Sequence, residues 1–357
     1  MSRLIIGDVL PANACFNSQG LNPVKEAAYH SYDAKDTYND APRQPCFPNT
    51  HVEVLNEIQM WMKDVESESI YVLFGVAGIG KSTIAQSVAK IAADDNLLGA
   101  SFFFSGDQEK RSTVRWLFPT LAYYLSCHHA ELAARVGEAL TTSPDIADRN
   151  LREQFESLIV EPLQTLPAGE PILLVLDAVD ACEKTGAETI LSLFAEYVAH
   201  IPRLKVFITA RPEQHIAGVF RSHHPHKQFC LHDIKDKIVQ DDIRLYIEHV
   251  LSKDQVRSKF PHVHLDWEPT HEEKDMLVEM SGKLFIIAAT AAKFILDPQQ
   301  MDPPKQLAIL GPVRLPSFWE KTIFENLRVH LVPPHFAVNK INCRIPKWYR
   351  LGLVQSF

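Results

Sequence analysis

The residues with the clearest chemistry stand in one run, Gly75-Val76-Ala77-Gly78-Ile79-Gly80-Lys81-Ser82-Thr83. A glycine, four residues, then Gly-Lys-Ser is the spacing of a phosphate cradle. Glycines let the backbone curl so that successive N–H groups converge on an anion. Lys81 supplies a point charge for the β- and γ-phosphates, and the Ser82 hydroxyl can ligate Mg2+. A helix starting at Ser82 adds its positive N-terminal end. The same eight letters also arise by chance as a glycine turn before an ordinary helix. Context separates the two: the apolar run "IYVLF" enters the loop and an amphipathic pattern leaves it. A phosphate site is the better reading.

Phosphoryl chemistry also needs an acid at the end of a neighbouring strand, and a group that orients attacking water. Asp177 follows five apolar residues in "ILLVLDAVDACEK", and Asp180 comes three residues later. Aspartate is a common turn former too, but beside a phosphate loop Asp177 reads as a metal ligand. In "LKVFITARPEQ", Arg211 follows another apolar run. It is placed to sense or stabilise a γ-phosphate; the plainer alternative is a surface arginine at a strand end.

These residues need a scaffold. Five apolar runs, 70–74, 100–104, 172–176, 205–209 and 228–232, are continuous rather than alternating. That pattern predicts strands covered on both faces in a parallel sheet. Helical spacing lies between them: Ile84, Val88 and Ile91; Leu117, Leu121 and Leu125; Leu151, Phe155 and Leu158; Ile190, Phe194 and Val198. Strand alternating with helix predicts a doubly wound α/β domain over 51–255, opened by a helix from His51 to Lys63. Residues 1–50 read as a loose leader. Residues 256–310 read as a linker and small helical segment, and 311–357 as an irregular basic tail. That tail carries seven Lys/Arg against two Glu.

Composition excludes several classes. Hydrophobic residues make up 46% and charged residues 22%, with a net charge of −8. The whole chain therefore has no nucleic-acid footprint. Cys15, Cys46, Cys127, Cys182, Cys230 and Cys343 are scattered, as expected of a reducing compartment rather than a disulfide framework. No signal-peptide core opens the chain, and Leu284 to Leu296 is too short to span a bilayer. A cytoplasmic protein without a membrane span is expected. His223, His224 and His226, and also His262 and His264, read as solvated loops, lacking Cys or carboxylate partners at ligand spacing. Asn339 to Asn342, "NKIN", lacks the aspartate of a guanine-reading motif.

In order, "CFPNTHVEVLNEIQMW", "GVAGIGKST", "GASFFFS", "LFPTLAYYLS", "ILLVLDAVDAC", "FITARPE" and "KLFIIAATAAKFI" resemble the NACHT class of STAND P-loop NTPases. Within it, the chain is similar to fungal members with a nephrocystin-3-like N-terminal NTPase core. The resemblance covers about Cys46 to Leu310. It implies a five-stranded core in which Asp177 and Ser82 hold Mg2+ and Arg211 ends the fourth strand. It also implies a signalling switch in which nucleotide exchange or hydrolysis turns a closed monomer into an oligomer. Fungal members are associated with non-self recognition and programmed cell death. The family's second motif usually reads Asp, small, apolar, Asp, Glu. Here the last position is Ala181, with Glu183 two residues on, which leaves Asp180 as the acid available to serve alone. His51 stands where the family often has Arg. Neither end is long enough for the effector and sensor domains of a complete switch, and the tail after Leu310 reads either as a genuine end or as a truncated or mis-spliced one.

The expected function is therefore an ATP- or GTP-binding switch with Mg2+, slow hydrolysis, and a homo-oligomeric or protein partner. Rival readings are a non-hydrolysing nucleotide-holding scaffold, which Ala181 favours, and a P-loop small-molecule kinase. Against the kinase, no lid or acceptor segment is recognisable between the motifs.

Overall fold

The computed structural model describes residues 20–30, 44–167, 169–221, 225–260, 267–299 and 302–311, with short paired strands at Lys35–Asp36 and Ala41–Pro42. Five strands form one sheet: β1 (Ile70–Phe74), β2 (Leu98–Phe103), β3 (Ile172–Asp177), β4 (Leu204–Ala210) and β5 (Lys227–Cys230). All pairings are parallel, in the order β2-β3-β4-β1-β5. Every residue of the first four strands is buried, which is why their sequences run apolar without alternation. In register, Phe74 meets Ala210 and Cys230, Phe103 meets Asp177, and Leu176 meets Ile208. The carboxyl ends of the strands thus share one edge, where open α/β sheets bind ligands. This is the α/β P-loop NTPase fold predicted from the sequence.

Helices α1 (Val52–Lys63), α2 (Lys81–Asp94), α3 (Leu117–His128), α4 (Ala130–Thr142), α5 (Lys184–Tyr197) and α6 (Gln214–Arg221) complete this unit. An irregular helical run through 151–164 includes a π turn at Glu156–Val160. Phe155 on this run packs its ring 4.8 Å from Phe118 of α3 and 4.9 Å from Phe194 of α5. These apolar contacts, fully buried, anchor the helical layer.

Two boundaries differ from the sequence reading. Part of the expected loose leader is built into the core: Leu21, Val24, Ala27 and Ala28 are buried. Val24 N–H donates to Thr120 Oγ1 at 3.0 Å, Tyr29 N–H to Ser101 Oγ at 3.0 Å, and Gln86 Nε2 to Tyr29 O at 2.8 Å. These bonds replace a ladder, so no periodicity announces the segment. The expected end of the α/β domain at residue 255 also moves. By its contacts the α/β unit takes the described residues up to Val76 and Lys81–Leu231, while a second, helical unit takes the described residues from His232 together with Ala77–Gly80. That unit comprises α7 (Asp236–Val250), α8 (Lys253–Lys259), α9 (His271–Ser281), α10 (Phe285–Ile295) and α11 (Pro303–Ile309). Val239, Ile243 and Ile247 of α7 share its core with Leu277, Ala288, Ala292 and Leu307. Strand-helix alternation carries α7 into the α/β reading, whereas its apolar stripe belongs to the helices that follow. A capping box between Thr270 and Glu273 starts α9.

Residues 1–19, His223, His224, His262, His264, the Asn339–Asn342 stretch and the tail after Gly311 lie outside the described residues. Among the described residues no helix is long and apolar enough to cross a membrane. Nor does a disulfide join Cys46, Cys127, Cys182 or Cys230.

Candidate functional site

The loop after β1 begins with Gly75, whose N–H donates to Ala210 O at 3.3 Å. Gly78 (φ 77°) and Gly80 (φ 110°) occupy left-handed backbone, which glycine adopts without a Cβ penalty. Between them Ile79 is buried, and Val76 is exposed at the start of the curl. Ala77 is half-buried. Helix α2 opens at Lys81, one residue ahead of expectation. Ser82 is exposed in its first turn, and Thr83 Oγ1 lies 3.7 Å from Cys46 Sγ.

Lys81 is buried, and its Nζ donates to Gly75 O at 2.8 Å and Val76 O at 3.1 Å. Burial pulls its pKa below the ordinary lysine value; Asp180 and then Asp177 oppose that shift, and Arg211 adds to it. The two aspartates are thus the anions whose charge supports this desolvated ammonium, against its burial and against Arg211. Three charged residues lying between about 96 and 130 positions from Lys81 in sequence therefore act on this one side chain.

Asp177 ends β3 and is 3% exposed. Its Oδ1 accepts a hydrogen bond from Thr209 Oγ1 at 2.5 Å. Thr209 lies on β4, fully buried, and its oxygen accepts from Ala178 N–H at 2.9 Å. Ala178 has φ 56°, a left-handed conformation disfavoured for alanine by about 1–2 kcal/mol. That reversal leads into a tight turn, Val179–Ala181, which carries Asp180. Asp180 accepts from Arg211 through both oxygens: the backbone N–H at 2.8 Å and the guanidinium Nε at 2.5 Å. The Asp180 side chain is 6% exposed and that of Arg211 27%. Glu213 Oε1 stands 3.8 Å from Arg211 Nε, and His215 Nδ1 is 3.5 Å from Glu213 Oε2.

The end of β4 thus grips both aspartates of the β3 turn, Asp177 through Thr209 and Asp180 through Arg211. Thr209, Ala178 and Glu213 were missed in the sequence. A hint was present: Thr209 and Arg211 stand two apart, the spacing that keeps strand side chains on one face. Ala181 is half-buried in the turn, and Glu183 is exposed at the start of α5. The charges that act on Lys81 are Asp180, Asp177 and Arg211, and Glu183 is not among them. His51 caps α1 from a left-handed, buried position.

The donor set suits Mg2+: Asp177 offers a carboxylate and Ser82 a hydroxyl, the hard oxygens this ion takes alongside retained waters. Backbone N–H groups, the Lys81 ammonium and the Arg211 guanidinium are the groups here whose chemistry suits a phosphate anion. Each Asp180 oxygen already accepts one hydrogen bond from Arg211, so water competes with Arg211 for this carboxylate.

The family described as nephrocystin 3, N-terminal, matches residues 52–211, a span that runs from α1 through the loop to Arg211. No curated protein matches the chain. Among solved structures the chain is similar to a Walker-type ATPase of Pyrococcus abyssi, at 13% identity over 80% of this chain and 77% of that one, with a TM-score of 0.48. It is also similar to AMPPCP-bound DnaA from Aquifex aeolicus, at 11% identity over 82% and 71%, with a TM-score of 0.38. A RuvB variant from Thermotoga maritima is similar at 15% identity over 78% and 77%, with a TM-score of 0.38. The fold assignment rests on the strand order and on the glycine loop after β1.

Proposed function

We propose that the chain is a nucleoside-triphosphate-binding switch with Mg2+-dependent, slow hydrolysis. The observation that carries this reading is that the charges of Asp180, Asp177 and Arg211 act together on Lys81, whose ammonium holds the Gly75 and Val76 carbonyls. Mg2+ would be held by Ser82 and Asp177 and would neutralise charge between the β- and γ-phosphates. Gly75, Val76, Ala77, Gly78, Ile79, Gly80, Ser82 and Thr83 present the backbone that surrounds the phosphates. Lys81 moves its ammonium from the Gly75 and Val76 carbonyls to phosphate oxygen. Arg211 binds the terminal phosphate once released from Asp180. A positioned general base is worth ~10²–10⁴-fold in rate. With Ala181 lacking a carboxylate and Asp180 tied to Arg211, turnover is slowed by a factor of that order.

A signalling role, with a NACHT or STAND type of oligomerisation on nucleotide exchange and a place in fungal non-self recognition or cell death, belongs to the same proposal. It draws on the ordered motifs and on the matched segment 52–211. The second reading, a non-hydrolysing nucleotide-holding scaffold, is favoured by the paired state of Asp180.

Calorimetry with Mg-ATP and Mg-GTP, with phosphate release followed on the same sample, decides between them. Tight binding lost in Lys81→Ala is expected, with little release and a rise in Ala181→Glu. Brisk release from the unmodified chain would mean that Asp180 suffices after leaving Arg211. Absence of binding, unchanged by Lys81→Ala, would overturn the nucleotide reading altogether.

A further inference from the structure

We propose that Thr209 is a positioning residue for the metal-binding acid: its hydroxyl sets the orientation of the Asp177 carboxylate and thereby the Mg2+ affinity of the bound nucleotide. The inference rests on the nucleotide reading above.

A hydroxyl has one proton to give. At Thr209 that proton goes to Asp177 Oδ1 at 2.5 Å, within a buried pair, while the oxygen takes the Ala178 N–H at 2.9 Å. The donor is therefore committed in one direction and cannot rotate to water. Thr209 is fully buried on β4, and β-branching stiffens its χ1. Holding Oδ1 leaves the carboxylate no rotation about its own χ2 without breaking a charge-assisted bond. The same oxygen anchors the N–H of Ala178, the residue in left-handed backbone immediately after Asp177. One side chain thus fixes both the acid and the turn that carries it.

A buried threonine also has a plain structural use, since its two bonds satisfy three polar groups. The two roles differ in one respect: only orientation of a ligand distinguishes metal-loaded from metal-free nucleotide. Outer partners of metal ligands commonly matter by about 10–100-fold in metal affinity.

The test is calorimetric binding of a non-hydrolysable ATP analogue to the full chain, in EDTA and across a Mg2+ titration, for the unmodified protein, Thr209→Val and Thr209→Ser. In Thr209→Val the Mg2+ concentration for half-maximal tightening should rise about 10–100-fold, with metal-free affinity within about twofold of the parent. Thr209→Ser, which keeps the donor, should stay near the parent. In an Asp177→Asn background Thr209→Val should add nothing to the Mg2+ dependence. If Thr209→Val does not fold, Thr209→Cys, a similar size with a weak donor, is read in its place. An unchanged Mg2+ requirement in the variant overturns the inference. So does an equal fall of metal-free and metal-loaded affinity, shared by Thr209→Ser. Binding by the parent that ignores Mg2+ overturns this inference but not the nucleotide reading; no binding by the parent in either condition overturns both.

Discussion

Replacing Asp180 by Asn tests whether the aspartate of the β3 turn holds Arg211 in the free protein. The amide can still accept from Arg211 N–H, but it can present N–H2 to the guanidinium Nε, where a carboxylate oxygen now sits at 2.5 Å. Glu213 Oε1 stands 3.8 Å from the same nitrogen. Fully buried pairs lose about 3–5 kcal/mol when one partner is removed, and exposed pairs about 0–1 kcal/mol. With Asp180 6% exposed and Arg211 27%, the pair lies between these limits, because the arginine can recover part of its hydration. Loss of charge-assisted bonding at this depth predicts a destabilisation of about 1.5–3 kcal/mol. Urea unfolding of the α/β unit measures it as a lower midpoint at unchanged slope. A double-mutant cycle with Arg211→Met isolates the pair itself, and the coupling should exceed about 0.5 kcal/mol. Additive effects of the two substitutions would refute the pairing. Retention of full stability in Asp180→Asn would do the same.

Lys81 gives a pH dependence with a definite sign. Burial lowers its folded pKa below 10.5, so in that window the unfolded chain holds a proton that the folded chain does not. Its destabilising contribution is full below the lowered value and disappears as pH rises toward 10.5. The stability difference between Lys81→Met and the parent should therefore shrink with rising pH in denaturant titrations; a constant difference contradicts the shift. For the N-terminal segment, Leu21→Ala removes a side chain with no exposure, and should cost about 2–5 kcal/mol in the same unfolding assay. A loose leader would predict no effect.

Local spacing was enough for the phosphate loop, because a glycine curl, a lysine and a helix start are contiguous and each has its own letter. It was also enough for the strands, since burial on both faces leaves an unbroken apolar run such as "ILLVL", with Asp177 at its end. The gripping of that acid was not legible. Thr209 meets Asp177, and Arg211 meets Asp180, only because β4 lies beside β3, and strand order is a property of the assembled sheet. The left-handed turn at Ala178 is likewise held by a bond to a residue 31 positions away. The 20–30 segment and the break at Leu231 escaped for a related reason. Val24, Tyr29 and the apolar stripe of α7 find their partners across long stretches of chain, and periodicity reports which face is apolar without saying what covers it. The chain's own letters determined what chemistry is available, and tertiary contact decided which groups are already engaged.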